Sequence, residues 1–189
     1  MEELLVYLNS IHPLSEEAIQ YLSLHLKEIE LSKKDYLLKA GRVCENVYFI
    51  KKGLVRCFYV KDDNEVCSWF MKEGDLIFSV KSFYKQVPSD ESIQVLEDLT
   101  AYYLSYKELQ HVYSTYPELN FIRGALTEKY YLLSEERSYS IRMQRAHERY
   151  HYLMDNHTEL IQRVPSKYLA SYLGISEETL SRIRAGKKY

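Results

Sequence analysis

Long apolar runs are missing from this 189-residue chain, and no window approaches the 18 or so consecutive apolar residues that a membrane-crossing helix needs. Its start, Met1-Glu2-Glu3, lacks the basic opening of a signal peptide, so the cytoplasm is the expected setting. Cysteine is scarce as well. Cys44, Cys57 and Cys67 are odd in number, widely spaced and free of any CxxC, which reads as reduced thiols and not as a disulfide framework or a zinc site. Neither sign of charge is in excess: 25 Lys and Arg stand against 27 Asp and Glu, and this excludes a generally basic coat protein. There is no repeat, no low-complexity tract, and none of the patterns GxGxxG, GxxxxGK[ST] or GxSxG. No enzyme activity and no cofactor is therefore expected.

What is present divides by period. Hydrophobic residues make up 46% of the chain, enough for a packed core, and 19 tyrosines should straddle core and surface because each buried hydroxyl needs a partner. Residues 2–10 and 16–27 read as helices, the second capped by Ser15 before Glu16 and Glu17. From Glu28 to Ser105 the pattern changes to short β-rich runs such as NVYFIKKGLVRCFYV and LTAYYLS. They are broken at Gly41, Gly53, Asp62-Asp63-Asn64, Gly74-Asp75 and Pro88-Ser89-Asp90. Such spacing argues an antiparallel roll or barrel.

Pro117 suits the first position of a helix, and beyond it Leu119, Ile122, Leu126, Tyr130, Leu133 and Ile141 share one stripe that Arg137 interrupts. A helix of about 22 residues would be roughly 33 Å long, and either the roll or a second copy of the same helix could bury its stripe. The period loosens near Ser138 to Ser140, where a hinge is expected before a further helix ending near Asp155.

The stretch Pro165 to Arg184 reads as two short helices across one glycine. Leu169, Ala170 and Leu173 form the stripe of the first, Leu180 and Ile183 that of the second. Gly174 can end a helix in the left-handed conformation and Ser176 can cap the next, leaving a turn of about three or four residues as in a helix-turn-helix. Once that stripe is buried, Glu177, Glu178, Ser181 and Arg182 are left facing outward. Arg can make two hydrogen bonds to guanine, and Glu can accept from the cytosine amino group. Between Arg163 and Tyr189 six basic residues meet two acids, a net +4, which leaves −6 for the rest of the chain.

This order, with Gly41, Gly53, Gly74-Asp75-Leu76-Ile77 and Ser176-Glu177-Glu178-Thr179-Leu180-Ser181-Arg182, resembles the Crp/Fnr family of bacterial transcription regulators over the whole chain. The resemblance implies an α+β protein: an N-terminal antiparallel β-roll, a cyclic-nucleotide-binding-like jelly roll, with flanking helices over 1–116. A long dimerisation helix and hinge follow at 117–141, and a helix-turn-helix DNA-binding domain at 142–189. Implied partners are double-stranded DNA, a second copy of the chain, RNA polymerase and a small effector of unknown identity. Ser166, Lys167 and Lys187 are expected to touch DNA beside Ser176, Glu177, Glu178, Ser181 and Arg182. The family holds its effector between the Gly74-Asp75 turn and the segment near Pro88, which here offers Ser79, Ser82, Phe83, Ser89 and Ser92.

The chain departs from the family in three places. The family's cyclic-nucleotide branch holds the ribose with Glu and the phosphate with Arg, but the matching turn carries Phe78, Ser79 and Val80, and no Arg lies between Gly74 and Thr100. An anionic phosphate would then lack a cation, so cyclic AMP is disfavoured. Glu177 stands where the family's reading helix usually begins with Arg, so the half-site should differ. A full β-hairpin wing is not expected.

Two other readings compete. His147-Glu148-Arg149-Tyr150-His151 matches HExxH, with His157 where a third zinc ligand would stand, a pattern of metal-dependent hydrolases. Met154 occupies the position where the longer pattern needs Gly, and no later Met supplies the following turn. Alternatively, the C-terminal hairpin could bind a partner helix as a protein-interaction module, a contact with little salt dependence, unlike DNA binding.

Overall fold

The computed structural model describes residues 1–186 and has an α+β architecture of antiparallel sheets with helices. The chain forms two compact units. One comprises Met1–Arg56 and Met71–Tyr130; the other comprises Cys57–Phe70 and the chain from Tyr131 onward. These units cut across the segments 1–116, 117–141 and 142–189 at two points: the β-hairpin of residues 57–70 groups with the C-terminal helices, and the boundary between Tyr130 and Tyr131 falls inside the long helix.

The first unit opens with α1 (Glu2–Ile11) and α2 (Glu16–His25). Ser15 caps α2 by accepting from Ala18 N and donates to Glu118 Oε1 at 2.5 Å. The sequence placed the end of α2 at residue 27, but Lys27 already belongs to β1 (Lys27–Leu31), whose pairing with β8 captures it. The strands that follow are β2 (Tyr36–Leu38), β3 (Asn46–Lys52), β4 (Val55–Lys61), β5 (Asn64–Met71), β6 (Leu76–Ile77), β7 (Glu91–Val95) and β8 (Leu99–Ser105), with α3 (Val80–Lys85) between β6 and β7. Two four-stranded sheets result, in the orders β1-β8-β3-β6 and β2-β7-β4-β5. The β3–β8 register shifts between Ile50 and Lys52, and just beyond it Gly53 turns at φ +107° with no room for a side chain. A Cβ there would lie 2.7 Å from Asp98 O.

After β8 the sequence Ser-Tyr-Lys-Glu closes a reciprocal cap on α4 (Tyr106–Thr115). Ser105 Oγ accepts from Glu108 N while Glu108 Oε2 accepts from Ser105 N at 2.7 Å. One core joins Leu4, Leu8, Ala18, Leu22, Phe49, Tyr102, Leu104 and Val112, and it also takes in Leu119 and Ile122 from α5 (Glu118–Met143).

That last contact decides between the two surfaces left open for the long helix. Leu119 and Ile122 are buried in the first unit, Leu126 packs against the same cluster, and Tyr130 OH accepts from Leu76 N at 2.8 Å. The N-terminal half of the expected stripe thus covers the roll. The exposed large apolar residues of α5 are Phe121, Tyr131, Leu132, Tyr139, Ile141 and Met143, so Ile141 of the expected stripe is left outside while the other five lie off it. Among them Leu132 and Tyr139 stand seven apart, with exposed Ala125 seven before. The helix also runs unbroken through Ser138–Ser140, and the chain leaves helical structure only at Gln144–Arg145. Its 26 residues make it about 39 Å long, one turn longer than the sequence suggested.

In the second unit α6 (Ala146–Asn156), α7 (Thr158–Arg163), α8 (Ser166–Leu173) and α9 (Glu177–Arg184) follow. Tyr150, Leu153, Leu160, Val164, Leu169, Ala170, Leu173, Leu180 and Ile183 are their buried apolar residues. The β4–β5 hairpin from Cys57 to Phe70 belongs to the same unit, turning at Asp62 and Asp63 with φ +50° and +61°.

Candidate nucleic-acid interface

Helices α8 and α9 are joined by Gly174-Ile175-Ser176, and each residue does what its chemistry allows. Gly174 adopts φ +67°, ψ +36°, so α8 ends in a left-handed residue. Ser176 is extended and its Oγ accepts from Thr179 N at 3.1 Å. Ala170 is 1% exposed, small enough for the helices to meet there, and Leu169, Leu173, Leu180 and Ile183 are buried with it.

Every orphan carbonyl at the end of α8 has a donor. Ala170 O accepts from Ile175 N and Ser171 O from Gly174 N, both at 3.0 Å. Tyr172 O accepts from Arg137 Nη2, and Leu173 O accepts from Arg149 Nε at 3.0 Å and Nη2 at 2.7 Å. Two guanidinium groups at a helix C-terminus also face the negative end of its dipole. Arg137 further stacks on the Tyr172 ring, 3.6 Å from its centroid. Burial holds the Arg137 guanidinium below the usual arginine range and pushes the Tyr172 phenol up. Arg149 makes a third bond, to Gln144 O at 2.5 Å, which ties the α5–α6 break to the same turn.

The outer face of α9 is open. Ser176, Glu177, Glu178, Ser181 and Arg182 are all exposed, and Arg182 Nη2 donates to Glu178 Oε1 across one helical turn. Lys167 is exposed at the start of α8. Ser166 is half-buried, and its hydroxyl accepts from Arg184 Nη1 at 2.8 Å, which fixes the last turn of α9 to the first of α8. Lys187 lies outside the described residues.

The residues expected to line the effector pocket come together, but their hydroxyls are engaged within the protein. Ser82 Oγ donates to Val87 O at 2.5 Å and accepts from Cys44 N at 2.8 Å. Ser79 and Ser89 lie 3.0 Å apart through their hydroxyls, and Ser89 also donates to Glu91 O at 2.9 Å. Ser92 Oγ accepts from Ala40 N, and Phe83 is fully buried against Phe78, Tyr84 and Tyr106. Lys81 reaches Asp90 at 2.5 Å on the surface. A cavity of about 360 Å³ in the same unit has different walls: Tyr36, Lys39, Arg42, Cys44, Glu45 and Tyr48 among others. The sequence reading missed one cation of the roll. Arg56 on β4 is 1% exposed, and its Nε and Nη2 both donate to Gln94 Oε1, at 3.0 and 2.7 Å. His147 and His151 lie one turn apart on α6 and His157 ends that helix. Among the described residues no three His, Cys, Asp or Glu side chains are grouped to hold a metal.

The family model of the cyclic nucleotide-binding domain matches residues 28–116. Comparison with curated protein sequences finds no match. Among solved structures the chain is similar to the c-di-GMP-responsive global regulator CLP of Xanthomonas campestris, with TM-score 0.73, 15% identity and 91% of each chain covered. It is also similar to FixK2 of Bradyrhizobium japonicum, with TM-score 0.70, 17% identity and 85% of this chain against 83% of that one. A third neighbour is a transcriptional regulator from Eubacterium rectale placed in the Crp/Fnr family, with TM-score 0.73, 12% identity and coverage of 92% and 83%. No helix of the described residues is long and apolar enough to cross a membrane. Residues 28–116 thus match the cyclic nucleotide-binding domain, and the chain shares its fold with these solved structures.

Proposed function

We propose that this protein is a homodimeric transcription regulator that reads double-stranded DNA with α9 and does not respond to cyclic AMP. The observation that carries the reading is the open face of α9: Glu177, Glu178, Ser181 and Arg182 are exposed while Leu180 and Ile183 of the same helix are buried. Such a helix offers donors and acceptors to the major groove, where each base pair presents a distinct pattern. The second copy joins through the exposed seam of α5 at Ala125, Leu132 and Tyr139, because the face carrying Leu119, Ile122 and Leu126 is already occupied by the core of the first unit. Glu177 gives a half-site unlike the family's usual one. Selection of bound sequences from random DNA tests this: a near-palindrome with half-sites about one helical turn apart is expected, and binding should weaken steeply with salt. Enrichment of no sequence, with salt-insensitive binding of a protein partner instead, would overturn it.

A further inference from the structure

The helix-turn-helix is held by more than its own core. Three consecutive residues at the end of α8 are each gripped by a different element: Ser171 by β5, Tyr172 by α5 through Arg137, and Leu173 by α6 through Arg149. The two arginines have an evident local task, since they satisfy carbonyls that the helix end would otherwise leave bare. Ser171 does not. Its backbone carbonyl is already paired with Gly174 N, and its side chain takes no part in the Leu169-Ala170-Leu173 stripe.

Instead the Ser171 hydroxyl donates to Glu65 O and accepts from Cys67 N, both at 2.9 Å. These two groups lie on one edge of β5, and β5 is the last strand of its sheet. A single hydroxyl that both donates and accepts there does what the next strand's peptide groups would do. Beside it Phe70 of the same hairpin meets the Tyr172 ring at 5.2 Å between centroids.

We infer that Ser171 is a positioning residue: by fastening α8 to the edge of β5 it sets the direction in which α9 is presented, and so the half-site spacing that a dimer accepts. This rests on the dimeric DNA-binding reading above. The fastened state leaves the whole reading face of α9 exposed, so the contact orients that face and does not cover it. A single half-site makes no demand on orientation relative to a second helix. A palindrome does, since both helices must enter grooves roughly 34 Å apart together.

The test uses the full-length protein with Ser171→Ala, which removes both bonds, and Ser171→Thr, which keeps the hydroxyl. Three readouts are compared with wild type: affinity for the selected palindrome, affinity for one isolated half-site, and affinity for palindromes with one or two base pairs inserted or removed at the centre. Amide hydrogen exchange at Cys67 reports whether the bond itself is broken. The alanine variant should lose Cys67 protection and bind the native-spaced palindrome about tenfold more weakly. It should change less than about twofold on the half-site and discriminate less among spacings, and the threonine variant should restore the wild-type pattern. Unchanged palindrome affinity and spacing preference in Ser171→Ala would sink the inference. Equal losses on palindrome and half-site would too, because they would mean damage to the helical unit itself. A wild-type protein that binds palindrome no better than half-site fails earlier, at the dimeric reading.

Discussion

Arg182 and Glu178 form an exposed pair on α9, and exposed pairs contribute only about 0–1 kcal/mol to stability. Their purpose is sought in the groove. Arg182→Ala should cost about 1–3 kcal/mol of DNA affinity and relax preference at one base pair, whereas Lys167→Ala should weaken all sequences alike and lower the salt slope by about one unit. Fluorescence anisotropy on the selected site and its single-base variants checks both. Equal, sequence-independent losses would reduce Arg182 to a phosphate contact. Glu118 makes a different prediction. Its bond from Ser15 holds the carboxyl below the usual glutamate range. A depressed folded-state value means a contribution present above the unfolded value and lost as pH falls through the folded one. Glu118→Gln should therefore flatten the acid limb of a melting-temperature profile and leave the limb above pH 6 parallel to wild type.

At the scale of elements, α5 carries one stripe buried in the first unit and one exposed seam. Leu132→Lys should yield monomers in sedimentation at micromolar concentration with little change in melting temperature, because Leu132 is 54% exposed in one chain. Leu126→Lys should instead lower the melting temperature, because Leu126 packs on the core of the first unit. The sequence could not separate these outcomes. An apolar 3/4 spacing states that a face is buried and not against what, and Leu119 and Ile122 find their partners on α1, α2 and β8 far away in the chain. The two short helices α8 and α9 and the turn between them, by contrast, are legible because their determinants are local: Gly174 and Ser176 sit within three residues of each other, and both stripes are short. Arg56 shows the opposite case. A lone charge in a β-rich run reads as outward-facing, and its burial depends on Gln94, 38 residues on. The serines near Pro88 are legible as hydroxyls but not as a closed network, since Ser82 and Ser92 accept from Cys44 N and Ala40 N, 38 and 52 residues away. Gly53 offers a direct check on the register shift beside it. Gly53→Ala would place a methyl against Asp98 O at a left-handed φ, and about 1–3 kcal/mol or more should be lost in denaturant titration.

For the molecule as a whole, a domain that matches the cyclic nucleotide-binding model need not bind a cyclic nucleotide. Its serine hydroxyls are engaged by backbone groups of the same unit, and Lys81 points to Asp90. Cyclic AMP and cyclic GMP at millimolar concentration should therefore leave both melting temperature and DNA affinity unchanged. A ligand at one hundred times its dissociation constant would stabilise by about 2.7 kcal/mol, so a shift would be plain in a thermal scan. A clear upward shift would redirect attention to Arg56 as the cation that meets the phosphate.

The second unit is assembled from two stretches that the ribosome makes far apart, residues 57–70 and the chain from Tyr131 onward. During synthesis the β5 edge at Glu65 and Cys67 exists long before Ser171 does, since 104 residues separate Cys67 from its partner. A nascent chain paused between them carries an edge strand awaiting its cover, a site for wrong pairing with another nascent chain. A fragment lacking the last two helices should therefore aggregate, although its own jelly roll is intact, and a fragment beginning at residue 131 should lack the strand against which α8 is set.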